Sequence, residues 1–415
     1  MEPQVILAII LAISVVSYLF DQLLDYINLK SLRTDIPDSV AGFYDRSRYV
    51  KSLDYHKELT RFSFISSGFF FAVSIAMLLT GGFGFVDDIL RAYVHHPVLL
   101  ALIFFAILIL ASDILGLPFQ LYSTFVVEEK YGFNKTTVRT FFADKLKGYL
   151  LAALIGAPLL AVLIYLIRTI GPDFWIWFAF IASAFILFMN MFYTTLIVPL
   201  FNKLTPLPDG ELKTRIQEFA RKVDFPLDNI FVIDGSKRSS KANAFFSGIG
   251  GKKKIVLYDT LIEKHTPEEL VAVLAHEVGH FKKKHVIVGL GLSVLQVFLT
   301  MFILSLMVYN EDLSLALGGS QLSIHLNLIA FSILFAPISA VTGLFMTMYS
   351  RRNEFEADAY ARETYSGPAL ADALKKLSVD SLSNLYPHPL YVFFHYSHPP
   401  LLKRLDAIKA YQPDA

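Results

Sequence analysis

Seven stretches of this chain are apolar on every face of a helical turn: residues 5–24, 62–82, 98–117, 149–167, 175–200, 286–308 and 326–349. An α-helix needs roughly 20 such residues to cross a hydrocarbon core. A soluble bundle would alternate apolar and polar faces, and a run such as "LLALIFFAILILA" does not. The pattern predicts seven membrane-spanning helices. The first window follows "MEPQ" with no basic segment and no small-residue cleavage site. It reads as a retained span rather than a secretory signal.

The longest polar stretch between windows, 201–285, has shorter periods. "DGELKTRIQEFARKV" carries helical spacing, "NIFVID" reads as a strand, and "KANAFFSGI" with "KKKIVLYDT" reads as a hairpin turning at Gly250–Gly251. In "TPEELVAVLAHEVGHF", Thr266 suits an N-cap, Pro267 the first helical position and Glu269 a capping box, so a helix spans 267–281. The chain thus divides into five spans with their loops (1–200), a small α/β segment (201–285), two further spans (286–349) and a polar C-terminal region (350–415). The fold class expected is mainly α, a seven-transmembrane-helix membrane protein with a small cytosolic α/β region.

Composition agrees with lipid as the solvent. The chain is 54% hydrophobic and only 18% charged, against about 25% charge in a typical soluble domain. A net charge of +1 argues against nucleic acid as a partner, since that needs many neutralised phosphates. Lys and Arg crowd the loops after windows one and three, whereas the loops after two and four hold only Arg91 and Arg168. Positive residues stay inside, so the N-terminus is expected outside and 201–285 and 350–415 in the cytosol. That means the endoplasmic reticulum in a eukaryotic source and the plasma membrane in a prokaryotic one. Asp113 and Asn190 fall within spans, where polar groups face a cavity or another helix. With no cysteine in the chain, any metal must be held by histidine and carboxylate.

"HEVGH" supplies the first two ligands. Residues four apart share a helix face, so His276 and His280 point at one ion, and imidazole suits zinc. Glu277 stands beside them, able to act on a water. A catalytic site needs a third protein ligand and an open position. Window six leaves the membrane side where His280 lies and window seven returns to it, followed at once by "SRRNEFEADAYA". Glu354 and Asp358 share a face there and Glu356 points elsewhere. Glu354 is the expected ligand, with Asp358 orienting a histidine from behind. The strand "KKIVLYD", with Ile255, Val256 and Leu257, is expected to pair with an extended peptide, since backbone groups bind without demanding a sequence.

"HEVGH", "RRNEFEAD" and "YSHPPLLKRL" together resemble the zinc-dependent CAAX prenyl protease type I family. "VEEKYGFNKTT", "FNKLTPLPDGELK", "DGSKRSSKANAFFSG" and "KKIVLYDTL" resemble family segments in the same order. The resemblance implies seven helices enclosing a water-filled chamber, and one Zn2+ per chain on His276, His280 and Glu354. It implies Glu277 as general base and then proton donor, His398 near the scissile carbonyl, Arg404 in the same site and Asn243 on the substrate. Family members remove three residues from a prenylated CAAX tail, and some cut again upstream. Nothing in the chain reads as an isoprenoid pocket; in a source without prenylation the same catalyst would cleave membrane-associated peptides. His285, His388 and His395 read as structural or interfacial. Two other classes compete. A site-two-type intramembrane protease would bury the motif in lipid and use an aspartate ligand, against the capped, lysine-flanked helix seen here. A zinc-binding scaffold or carrier would not need Glu277. Oligomeric state is not legible.

Overall fold

The computed structural model describes residues 2–247 and 253–410. The Gly250–Gly251 turn lies outside the described residues. Helices dominate. The first six named here are α1 (Pro3–Lys30), α2 (Arg46–Leu79), α3 (Pro97–Tyr122), α4 (Val138–Leu151), α5 (Ala157–Ile170) and α6 (Phe174–Leu196). α3 continues through a π-helical turn, Ser123–Glu128, to Tyr131. After the polar segment comes α9 (His285–Met307), which carries no acidic, lysine or arginine side chain.

Among the described residues, five helical runs are long and apolar enough to cross a membrane: Pro3–Lys30, Arg46–Leu79, Pro97–Tyr131, Val138–Phe201 and His285–Met307. A sixth, Ile324–Leu334 with Ala336–Asp380, bends by 53° at its break. The 64-residue run Val138–Phe201 contains two of the seven apolar windows. These helices expose large apolar side chains, among them Val16, Leu154, Ile287 and Leu306, a surface that water would not tolerate and lipid solvates. Asp113 lines a cavity of about 880 Å³, paired with Lys145 at 2.7 Å and hydrogen-bonded by Gln120 and Tyr149. Asn190 donates to the Ile186 carbonyl of its own helix.

The polar segment builds a four-stranded sheet from β1 (Leu204–Pro206), β2 (Leu227–Ile233), β3 (Ala244–Ser247) and β4 (Lys253–Tyr258), with α7 (Glu211–Lys222) between β1 and β2. Strand order is β1-β2-β4-β3. β2 pairs with β1 antiparallel and with β4 parallel, and β3 pairs with β4 antiparallel. This order overturns the expectation for Ile255, Val256 and Leu257. β4 has a neighbour on both sides, so its backbone groups are already used, and the three side chains are buried in the core. A peptide cannot add there. β1 and β3 are the edge strands among the described residues, and β3 is the one that follows directly on Asn243.

The chain leading into β3 is strapped to the membrane helices. Lys135 N–H donates to the Arg238 carbonyl (3.0 Å) and Ser240 N–H to the Phe133 carbonyl (3.1 Å). Arg238 grips both carboxylate oxygens of Asp144 at 2.7 and 3.0 Å, and Lys241 reaches Glu128 at 3.1 Å. A loop so tied presents Asn243 and β3 in a fixed place.

Candidate metal centre

α8 (Pro267–Lys282) begins where the local chemistry sets it. Thr266 Oγ1 accepts from Glu269 N–H, and the Glu269 carboxylate accepts from Thr266 N–H at 3.0 Å. This reciprocal pair satisfies two backbone donors that an uncapped end would leave open. Leu270, Val271, Leu274, Ala275 and Val278 of α8 are buried in one core with sheet residues Ile230, Ile255 and Leu257. A helix packed on so many sides holds its remaining face still. That face carries His276, Glu277 and His280.

α11 (Ala336–Ala361), which follows α10 (Ile324–Leu334), crosses this face. The approach is close at one point: a Cβ on Gly279 would lie 3.0 Å from the Ala357 Cα. Only a glycine lets the two backbones meet there, and Ala357 is one turn from Glu354. The crossing thereby sets Glu354 against both histidines, with its Oε2 3.6 Å from His276 Nε2 and its Oε1 3.4 Å from His280 Nε2. The two Nε2 atoms are 3.2 Å apart.

These three side chains fit a metal ion. A tetrahedral ion with bonds of about 2.0–2.1 Å holds its ligand atoms about 3.3 Å from one another, and the observed separations bracket that value. The proton positions agree. His276 Nδ1 is 2.8 Å from Asp358 Oδ1, an acceptor, so Nδ1 carries the proton and Nε2 a lone pair. His280 Nδ1 faces His285 Nδ1 at 3.0 Å, and His285 Nε2 faces Glu356 Oε2 at 3.1 Å. Glu356 takes the His285 proton at Nε2, which leaves His285 Nδ1 to accept from His280 Nδ1. With those tautomers both His276 and His280 aim lone pairs at one point, an arrangement that a shared metal ion relieves. Glu354 Oε2 adds to this, being buried with no hydrogen-bond partner although Arg404 Nη1 is 3.2 Å away.

Charge is arranged to keep the carboxylates ionised. Burial alone would raise Glu354, but His280 and the Arg404 guanidinium outweigh it and hold the carboxyl at about 2. Burial likewise opposes ionisation of Asp358, which Arg404 and His276 reverse. Burial also resists charging of His280, and Glu354 with Glu277 overcomes it and pushes the imidazole up. For Glu277 burial wins, pushing its carboxyl up against the pull of His276 and His280.

A cleft of about 150 Å³ adjoins the group, lined by His276, Glu277, Glu354, His398, Arg404 and Asn243 together with apolar side chains. Asn243 is exposed and lies immediately before β3. His398 stands at the rim with its Nε2 3.3 Å from Glu354 Oε1 and its Nδ1 2.9 Å from Ser397 Oγ. Arg404, on α13 (Leu401–Lys409), is buried and committed: Nε and Nη2 hold Asp358 at 2.8 and 2.6 Å, and Nη1 faces Glu354. α12 (Gly367–Asp380) closes the cleft with Leu370, Leu374 and Leu377. Sequence reasoning missed the His285–Glu356 pair. The signal was present, since "KKKH" places His285 one turn beyond His280 on the facing side of a helix break, where Lys284 has φ 61°.

Comparison with known proteins gives the same picture over the whole length. Residues 25–203 match the model "CAAX prenyl protease N-terminal, five membrane helices", and residues 206–412 match "Peptidase family M48". A CAAX prenyl protease 1 homolog of Arabidopsis thaliana is 37% identical over 406 residues, covering 95% of both chains. The Homo sapiens homolog is 33% identical, covering 91% of this chain and 89% of its own. The crystal structure of S. mikatae Ste24p superposes with a TM-score of 0.92 at 33% identity, covering 97% of this chain and 99% of that one. The chain therefore belongs to peptidase family M48, with the CAAX prenyl protease 1 homologues, and is a multi-pass membrane metalloendopeptidase.

Proposed function

We propose that this enzyme is a zinc endopeptidase that removes the last three residues of prenylated CAAX-type C-termini. The observation that carries the reading is the placement of Glu277, a carboxylate with no structural partner in the described contacts, in the same cleft as the His276–His280–Glu354 group. When bound by those three residues, zinc supplies Lewis-acid polarisation of water and carbonyl. Glu277 accepts a proton from the attacking water as oxygen adds to the scissile carbonyl carbon. It then gives that proton to the leaving nitrogen as the C–N bond breaks, so the products are a new carboxylate and a free tripeptide amine. With Ser397 donating to Nδ1, His398 keeps its proton at Nε2 and offers it to the carbonyl oxygen as charge develops there. Arg404 acts as a positioning residue, holding Glu354 and Asp358 rather than reaching substrate. The free edge of β3, beside Asn243, is where an extended peptide adds its backbone hydrogen bonds.

The membrane topology proposed is seven crossings with the site on the cytosolic side. Gly171, at φ 75°, and a 3-10 turn break the run Val138–Phe201, and α5 and α6 pack against each other across that three-residue connection. A connection so short between packed helices makes them antiparallel, two crossings rather than one. The bent pair α10 and α11 supplies the seventh. The Lys and Arg bias between loops sets the sidedness.

Cleavage-site mapping tests the proposal. Matched farnesylated and unprenylated CAAX peptides are incubated with the purified protein and with Glu277→Ala. Cuts after the modified cysteine, favoured by the lipid and absent from the variant, are expected. Scattered cuts of both peptides at equal rates would remove the CAAX assignment and leave a general membrane endopeptidase.

A further inference from the structure

Away from the metal centre, α2 and the extended α3 enclose an open cleft of about 950 Å³. Its walls change character once. Along α2, Lys51, Asp54, Glu58, Arg61 and Ile65 recur every three or four residues and so share a face. That face is charged as far as Arg61 and apolar from Phe62, where the second apolar window begins. The facing wall repeats the order, with Pro118, Phe119 and Tyr122 at the apolar end and Lys130 and Tyr131 at the charged end. Phe62 joins the walls at the boundary, its ring centroid 6.1 Å from Phe119 and 5.2 Å from Tyr122. Phe62 and Phe119 also line the neighbouring open cavity at Asp113, so the two clefts are contiguous through these rings.

The charged end is unbalanced. Lys57 lies 3.3 Å from Asp54 and Lys130 2.6 Å from Glu58, whose carboxylate also accepts from Tyr131. Both acids are thereby neutralised. Lys51 and Arg61 have no hydrogen-bond or ion-pair partner among the described residues. A surplus of positive charge above an aromatic floor, at the edge of an apolar window, matches a molecule with an anionic head and an apolar tail. Juxtamembrane cations draw acidic lipids, and a guanidinium fork fits a phosphate. We propose that this cleft binds an anionic phospholipid, its phosphate at Arg61, its head extending toward Lys51 and an acyl chain along Phe62, Ile65 and Phe119. A basic substrate segment would be repelled by the same surplus. The inference depends on neither the peptide substrate nor the sidedness of the membrane.

Native mass spectrometry of the full chain in detergent, with equal additions of phosphatidylglycerol and phosphatidylcholine, tests it. One phosphatidylglycerol is expected to be retained in preference. The double variant Lys51→Gln/Arg61→Gln should lose that preference by about 30-fold, the effect of two juxtamembrane cations, whereas Lys51→Arg/Arg61→Lys should keep most of it. Metal content and peptide cleavage, read on the same samples, report that the fold is intact. A photoactivatable phosphatidylglycerol on the wild-type protein should label α2 near residues 62–65, a reading that needs no variant. Equal retention of the two lipids, labelling elsewhere, or an undiminished preference in the neutralised variant overturns the proposal. So does displacement of the lipid by a CAAX peptide, which would assign the cleft to substrate.

Discussion

His276, Glu277 and His280 fall within five consecutive positions, yet each depends on different partners. Glu277→Ala removes the proposed base and leaves every ligand in place. Cleavage should fall by at least about 100-fold with metal content unchanged; Glu354→Ala should instead lose the metal, and full retention would sink its assignment as a ligand. His285 Nδ1 accepts the His280 Nδ1 proton, and Glu356 holds the His285 ring in place. Loss of such a supporting contact weakens metal binding by about 10–100-fold, which a chelator titration of His285→Ala measures. An unchanged affinity would reduce His285 to packing. Acidity works on the same pair. The metal-free His280 imidazole is pushed up by Glu354 and Glu277 once burial is overcome, and a raised group takes its proton at a higher pH. A proton and a metal compete for Nε2, so as pH is lowered affinity should begin to fall while the pH is still above the ordinary histidine value of about 6.5.

At the scale of elements, the site exists because α8 and α11 touch. Gly279→Ala places a Cβ 3.0 Å from the Ala357 Cα and 3.1 Å from the Tyr360 Cβ. Backbone cannot move aside as a side-chain tip can, so the helices must separate by a few tenths of an ångström. Overpacking of this kind costs about 1–3 kcal/mol, and here it also widens the gap between Glu354 and the histidines. Both a lower melting temperature and a lower metal occupancy are expected; a variant that keeps both would show that the crossing has slack. The helix start was legible from Thr266, Pro267 and Glu269 because capping is a contact between residues three apart. The strand order was not. β2 and β4 are separated in sequence by β3, and no local pattern says that β4 slips between β2 and β3 and so loses its free edge.

For the whole molecule, lipid is the solvent that makes the exposed apolar helices stable, and the crossings can be counted directly. The chain has no cysteine, so single introduced cysteines report sidedness without background. In sealed vesicles Lys237→Cys, beside the strapped loop, and Tyr93→Cys, 81% exposed between α2 and α3, should react with an impermeant maleimide from opposite sides. Labelling of both from one side would break the proposed topology. The anionic-lipid cleft belongs to this scale too, since it ties α2 to the membrane near Tyr131 and Glu128, in the segment that straps the loop before β3.

The sequence by itself determined what depends on near neighbours and on solvent. Apolar length sets which segments suit a bilayer, spacing of four sets His276 and His280 on one face, and Thr266 with Glu269 sets where that helix begins. Even Glu354 was within reach, because two helices returning to the same membrane face bring their ends together. The tertiary structure alone decided the burial of Ile255, Val256 and Leu257 within the sheet, the commitment of Arg404 to Asp358 and Glu354, and the pairing of His285 with Glu356. Each of these joins residues far apart in the chain or turns on which side of a strand is already occupied. Packing, not periodicity, settles such contacts, since a strand's pattern is the same at an edge and in the middle of a sheet.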